Sequence, residues 1–500
     1  MHSLPSDSSR RVLTRDDAIA VGRRLLAWLD EGAGGTGPEG ITLEHTARAI
    51  TKISNGRVMQ TEDGDRVRIR VASQFGSGLP VEVMTNQLDD AVLRSVVARA
   101  AAMAPPVAPP EWMGAIDYSD QQPFTFQARE FPDVALWHDM TARASESAQE
   151  TAIPSLVEQL RNSQLNGAAT LSFGQRSVLY LYKRGLTAFA DETDCEVTVT
   201  ARTPDNAASG WAGDANRDWT KIQLQSIATR AADMASRSRG MVAVEPGRRT
   251  AILGAAAVAQ LVRCMAREFD WNQTKEGGMG SPFTFLNHNS GGRHTKFGLR
   301  VFDPRLMMVS DPADPMGGYA PFFEANSMVE PSLHGFPTPA ITWIDHGVLK
   351  HFAYSIADGL SRNMTPCEWP VSVRVMAVPG TPTATVDEMI ANCKEGIYVN
   401  RFSNVELVDW PSGLMTGVTR DGCFLVKDGK IAKPVKNFRF TDSPFFSFNK
   451  LEMIGVPERA AFGTIMPHVG DPWGPWPAPP VIVPPMMVRD FNFSSTIDAV

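Results

Sequence analysis

Nine histidines and five cysteines are the zinc-binding side chains scarce enough to count one by one in this chain of 500 residues. Imidazole, thiolate and carboxylate groups hold zinc when three or four of them converge. His346 and His351 sit at one turn and its exit strand, in ITWIDHGVLKHFAYS. His288 and His294 flank Asn289–Gly292, and His468 stands alone near the C-terminal end. None of these is spaced as a local ligand pair, so a site built from them needs long-range convergence. Read locally, they are loop histidines bonded to nearby carbonyls, with His346, His351 and His468 kept as alternative metal ligands. Cys195, Cys264, Cys367, Cys393 and Cys423 form no CxxC pair. That pattern fits reduced, buried thiols rather than a zinc knot or a disulfide scaffold. Cys264 lies beside Arg263, which could lower its pKa, but no histidine nearby supplies the base a nucleophile needs.

The densest charged set closes the segment AILGAAAVAQLVRCMAREFD, Ala251–Asp270. Ala255, Val258, Ala259 and Val262 recur at helical spacing, and the whole segment reads as one helix around which the chain is organised. Arg263 and Arg267 are four apart and share a face. They are positioned either to pair with Glu268, Asp270 or the other domain, or to grip a peptide carboxylate or a partner's acidic groups by bidentate contacts. The glycines at Gly277–Gly280 and Gly291–Gly292 match neither a phosphate loop nor a dinucleotide turn.

The rest of the chain must hold that helix in place. A formal net charge of −7 gives no electrostatic reason to expect nucleic-acid binding. The most apolar windows, Ala251–Val262 and Val481–Val488, are too short to cross a bilayer. The opening residues show no signal-peptide core, so the expected setting is cytoplasmic, away from membranes.

Thr14, with Asp17, caps a first helix. Ile41–Ile53 and Asp65–Ala72 read as strands, with turns at Asn55-Gly56 and Asp63-Gly64. In the second strand Val67, Ile69 and Val71 alternate with Arg66, Arg68 and Arg70, giving one buried face and one wet or partner-facing face. A proline-rich crossing segment spans 103–122. A meander then turns at Gly174 and Asp191–Asp194, a polar loop covers Asp205–Asn216, and a long helix covers Trp219–Ser238. A boundary near Arg239–Arg249 divides an α/β domain, residues 1–239, from a β-rich domain, residues 240–500. The second half carries strands at Thr338–Ile344, Val348–Ser355, Val371–Ala377, Gly396–Phe402, Thr416–Lys427, Lys430–Phe440 and Phe445–Met453. Thr385–Lys394 is a short helix with Thr385 and Glu388 as a capping box. The Pro/Trp-rich tail, Asp471–Val483, is unsuited to a central strand, and Met486–Thr496 is expected at a sheet edge.

Several of these pieces resemble, in order and spacing, the TldD/PmbA family. They are ISNGRVMQTEDGDRVRIRV with TNQLDDAVLRSVVARA, then VAVEPGRRTAIL, ITWIDHGVLKHFAYS, ATVDEMIANCKEGIYVNRF, VTRDGCFLVKDGKIAKPVKNFRF and LEMIGVPERAA. The resemblance covers nearly the whole chain and implies an α+β fold with a mixed first domain and a β-rich second domain. The family is known from metallopeptidase complexes and was earlier described as modulating DNA gyrase. Its active branch carries HExxxH on the helix matching Ala251–Asp270, and a late Cys as third zinc ligand.

Matching the acidic run to Glu268–Asp270 puts Gln260 at the first His, Leu261 at the Glu and Met265 at the second His. An amide and a thioether are poor zinc ligands beside imidazole, and Leu moves no proton. The stretch matching the late Cys, Ala461–Gly470, has His468 and no Cys. The chain therefore resembles the PmbA/TldE-like branch, a non-catalytic subunit of a peptide-cleaving assembly. The implied partners are a second copy or a TldD-like subunit, and a peptide or unfolded polypeptide. Zinc is expected only in an HExxxH sibling, with Arg263, Arg267, Glu268 and Asp270 as peptide or partner contacts. The alternative is a self-sufficient dimeric enzyme or peptide-binding protein of a divergent branch, in natural-product or peptide maturation.

Overall fold

The computed structural model describes residues 10–32, 40–73, 81–102, 131, 134–147, 153–162, 164–183, 185–275, 280–286, 292–323, 337–367, 370, 372–462 and 480–497. The proline-rich segment 103–122, His288, His468 and most of the Pro/Trp-rich tail lie outside these residues. The fold is α+β, with helices laid against extensive, mostly antiparallel sheets.

Helix α1 (Arg15–Gly32) precedes a six-stranded sheet of β1 (Gly40–Ser54), β2 (Arg57–Ser73), β3 (Val81–Thr85), β4 (Asn166–Tyr182), β5 (Thr187–Arg202) and β6 (Ser209–Asn216), in the order β3-β2-β1-β4-β5-β6. Helix α2 (Asp90–Ala102) joins α1 on one face of this sheet. There Leu25, Leu29, Leu93 and Val97 pack on Leu43, Ile69, Val71 and Leu179. The alternation read in β2 is therefore real, with the arginines on the other face. A helix at Leu224–Arg237 packs on β5 and β6. Gly210 permits that approach, since a Cβ there would lie 2.3 Å from the Ala231 carbonyl oxygen.

Three expected turns in this sheet do not exist. Asp63-Gly64 pairs with Ala49 and Arg48 inside β2, Gly174 lies inside β4, and Asp191–Asp194 lies inside β5. Polar residues in mid-strand imitate a turn in sequence, but here they are paired across the sheet and beyond it. The loop expected at Asp205–Asn216 is mostly strand, because β6 completes the sheet edge against β5.

The second half begins with β7 (Gly247–Leu253). This corrects the start of the organising helix. Ala251, Ile252 and Leu253 are strand, fully buried, and paired parallel to β14 (Glu395–Asp409) and antiparallel to β21 (Met486–Ile497). A strand buried on both faces is an unbroken apolar run that periodicity cannot tell from a buried helix. The helix proper is Ala255–Met265, followed by a 3₁₀ turn at Ala266–Phe269 and a short helix at Trp271–Thr274. We call Ala255–Met265 the central helix.

Strands β14, β7, β21, β17 (Asn437–Asp442) and β15 (Leu414–Lys427) pair in series, and β15 pairs back to β14, closing a ring with β16 (Lys430–Pro434) appended. Strand β21 is thus interior to its sheet, not an edge. A further sheet runs β12-β11-β10-β13-β20-β19, from Val348–Leu349, Ile341–Asp345, Leu306–Ser310, Val373–Ala377, Val481–Val483 and Glu458–Arg459. Strand β20 is interior too, although it ends the segment judged unfit for such a place. The expected strand Phe445–Met453 is mostly helical, with Pro444–Ser447 and Phe448–Lys450 ahead of a strand at Leu451–Ile454. That expected at Val348–Ser355 stops at Leu349. The helix at Val386–Asn392 has both halves of its capping box, from Thr385 and Glu388.

Candidate functional site

The central helix packs on β14 and β20. It starts at Gly254, whose N–H donates to the Val399 carbonyl at 2.9 Å. Its buried side carries Ala257, Val258, Leu261, Val262 and Met265 into the main apolar core beside Phe269, Trp343 and Phe402. Leu261 is 0% and Met265 1% exposed. Gln260 is half-buried. These are the three positions that the family resemblance assigns to His, Glu and His. An amide, an isobutyl group and a thioether, two of them locked in apolar packing, do not fit a zinc ion or a general base.

Arg263 is half-buried, with its guanidinium 5.0 Å from the centre of the Phe462 ring. Burial, with Arg267 nearby, lowers its pKa. Arg267 is exposed. Neither makes an ion pair with Glu268 or Asp270 among the described residues. Glu268 is buried, and burial together with Asp270 pushes its carboxyl up to about 7. Asp270 is also buried, accepts from the Asn272 N–H at 2.9 Å, and so caps the Trp271–Thr274 helix. Burial pushes its carboxyl up as well. Cys264 is half-buried, and its thiol is pushed up to about 11 by burial and by Glu268. A protonated thiol without a base beside it is no nucleophile.

His346 occupies a left-handed turn position, φ 49°, exposed, with Nδ1 2.7 Å from Asp345. His351 is buried, with Nδ1 2.6 Å from the Phe352 carbonyl and 3.5 Å from the Cys367 sulfur, while Nε2 is buried without a hydrogen-bond partner among the described residues. Burial lowers its pKa, which keeps the ring neutral. His294 is exposed and stacks on Phe285. Among the described residues no group of three or more His, Cys, Asp or Glu is placed to hold a metal ion. His346 and His351 are therefore not brought together with a third ligand, and His468 lies outside the described residues.

The sequence reading missed the charged face of the first sheet. Glu192, Asp194 and Glu196 alternate on β5 and point away from its core. Glu192 accepts from Arg176 at 3.0 Å and from Arg217 at 2.9 Å. The two arginines hold its carboxyl low against the cost of burial. Arg459 Nη2 donates to both Asp194 oxygens at 2.7 Å. The Phe462 N–H donates to Glu196 at 3.0 Å. Arg217 also donates to the Gly318 carbonyl, and Ser209 to Asp421 at 2.7 Å. These bonds join the first sheet to the second half of the chain. The acidic spacing at 192, 194 and 196 was the available signal, since it puts all three on one side of a strand.

Helix-backed sheet, closed ring and central helix define an α+β protein. A family model described as the PmbA/TldA metallopeptidase C-terminal domain matches residues 246–495. The chain belongs to the TldD/PmbA family. Among solved structures it is similar to a protein of Thermotoga maritima described as a candidate modulator of a DNA gyrase, with TM-score 0.71, 15% identity, and coverage of 95% of this chain and 99% of that one. A candidate DNA gyrase modulator of Bacteroides thetaiotaomicron gives 0.66 and 14%, covering 96% and 100%. TldE of Thermococcus kodakarensis gives 0.67 and 12%, covering 95% and 99%. At these identities the likeness is one of fold. No curated protein sequence matches the chain.

Proposed function

We propose that the chain is a PmbA/TldE-like, non-catalytic subunit of a peptide-cleaving metallopeptidase assembly. The observation behind this reading is the burial of Leu261 and Met265, 0% and 1% exposed, inside the apolar core. Side chains committed to packing cannot be recruited to a metal without unpacking the helix. In this reading zinc belongs to an HExxxH sibling, and this chain supplies cavity wall and peptide-binding surface. The assembly is a homodimer or a heterodimer with a TldD-like subunit, in the cytoplasm, away from membrane and nucleic acid. Among the described residues no helix is long and apolar enough to cross a membrane. An unfolded peptide would bind by adding its backbone to an exposed strand edge. The net charge of −7 lends nothing to direct contact with DNA-bound gyrase.

The test uses the full chain, alone and mixed with an HExxxH sibling, with zinc stoichiometry and cleavage of an unstructured peptide as readouts. The expected result is no stoichiometric zinc in the lone chain, and cleavage only with the sibling. One zinc per subunit with cleavage by the lone chain would overturn the reading. One observation favours the second reading, a self-sufficient enzyme or peptide-binding protein of natural-product or peptide maturation. His351 holds its Nδ1 on a carbonyl and leaves Nε2 buried without a partner among the described residues, which is how a ligating or proton-moving imidazole is set. Cleavage by the lone chain that His351→Ala abolishes would select it.

A further inference from the structure

The segment that leads into α1 lies as a strap on the first sheet. Val12 and Leu13 are buried. The Arg11 N–H donates to Gln175 Oε1 on β4 at 2.9 Å, and the Arg11 guanidinium pairs with Asp63 on β2. Arg10 pairs with Asp191 on β5 at 2.7 Å and stands 4.3 Å from the centre of the Trp137 ring. The last tie is different in kind. The Leu13 N–H donates to Nδ1 of His45, in the middle of β1, at 3.2 Å.

That bond fixes the state of the ring. A backbone N–H only donates, so Nδ1 accepts and carries no proton. The proton of the neutral imidazole is therefore on Nε2, which lies 2.6 Å from Asp65 Oδ1 on β2. His45 is 1% exposed, while Asp65 is exposed. Val67 on β2 and Ser177 on β4 stand opposite His45 in register, and neither carries charge. Arg15, Asp16 and Asp17, which open α1, are exposed. Asp65 is thus the carboxylate bonded to the ring, while Arg10 and Arg11 pair with other acids.

A proton added at Nδ1 would set two N–H groups against each other, and the Leu13 bond cannot survive it. The same proton strengthens the second bond, because an imidazolium donating to a carboxylate is charge-assisted. The docked strap therefore requires the neutral ring, whereas a lifted strap leaves Nδ1 to water and accommodates the cation. Docking binds one proton fewer, so it weakens as pH falls. The remaining side-chain charges on the strap are guanidinium–carboxylate pairs, group types that ordinarily stay charged through the range of about pH 5–8 in which imidazole changes charge.

We propose that His45 is a pH-sensitive latch for this strap. The neutral ring holds Leu13; the protonated ring turns its bonding over to Asp65 and releases Arg10–Leu13 from β1. The latch is independent of the central helix and of the peptide-handling reading above.

The experiment is amide hydrogen exchange on the full chain, with the rate at Leu13 divided by that of an unstructured chain at the same pH. Protection at Leu13 is expected to fall at least about tenfold between pH 8 and pH 5.5, while β4 and β5 keep theirs. H45N retains an oxygen acceptor near the place of Nδ1 and does not titrate, so its protection should be flat with pH. D65N keeps an acceptor for Nε2–H but not the charge that favours the imidazolium, so the loss should move to lower pH. Asp65 is exposed, and D65N keeps the test decisive if H45N is unstable. Equal protection of the wild type at both pH values overturns the latch. So does a loss in H45N as large as in wild type, or a D65N transition at the wild-type pH.

Discussion

Around the central helix, the positions that could hold a metal carry side chains that fill a core. On the outward face of the first sheet, side chains that could have been apolar are charged and partly buried. Leu261 and Met265 are at most 1% exposed and belong to the main apolar core. Arg176, Glu192, Asp194, Arg217 and Arg459 are also buried, yet each is paired with a partner of opposite type. The first arrangement gives up chemistry for stability. The second places ionisable pairs where desolvation is costly, which a chain tolerates when the pairs also position something, here the first sheet against the segment carrying Arg459.

The sharpest way to break this comparison is Leu261→Glu, which restores the family's acid at its own position. A carboxylate in that apolar site should cost about 4 kcal/mol or more, read as a lower urea midpoint, and should bring no zinc with it. Unchanged stability would mean that the helix's inward side is not committed to packing. The charged face is tested by Arg459→Met. Asp194 is then buried without its guanidinium, which already only offsets part of the burial that pushes its carboxyl up. The expected loss is about 3–5 kcal/mol, and Asp194→Asn in the same chain should recover part of it. A loss under ~1 kcal/mol would reduce the pair to a surface-type contact.

Where a residue's neighbours in sequence are also its neighbours in space, the fold was legible. Thr385 and Glu388 announced their helix because a capping box closes within one turn. Val67, Ile69 and Val71 announced the buried side of β2. Failures cluster where the deciding partner is remote. Ala251–Leu253 is a strand because β14 and β21 flank it, and nothing local says so. Asp191–Asp194 stays in a strand because Arg176, Arg217 and Arg459 meet its acids, the last from 265 residues away. The same holds for the site. The side-chain types at Gln260, Leu261 and Met265 could be read from one segment, but the meeting of Arg459 with Asp194 joins residues remote in sequence.

A smaller effect separates the two ends of the central segment. Glu268 titrates near 7 against an ordinary 4.5, raised by burial and by Asp270. The native state therefore binds this proton more tightly than the unfolded chain does. Its contribution favours folding below pH ~4.5 and is lost as pH rises to about 7. Glu268→Gln should match wild type near pH 4 and exceed it at pH 8 by on the order of 2 kcal/mol, seen as a flatter profile of urea midpoint against pH. A variant that is less stable at pH 8 would mean that Glu268 has a cationic partner at that pH. Arg267, one residue earlier, is exposed and makes no ion pair among the described residues, so Arg267→Ala should change stability by less than ~0.5 kcal/mol. If that variant instead weakens peptide or partner binding while leaving the urea midpoint in place, the exposed end of the helix is a contact surface. Binding left intact as well would remove Arg267 from the contact surface.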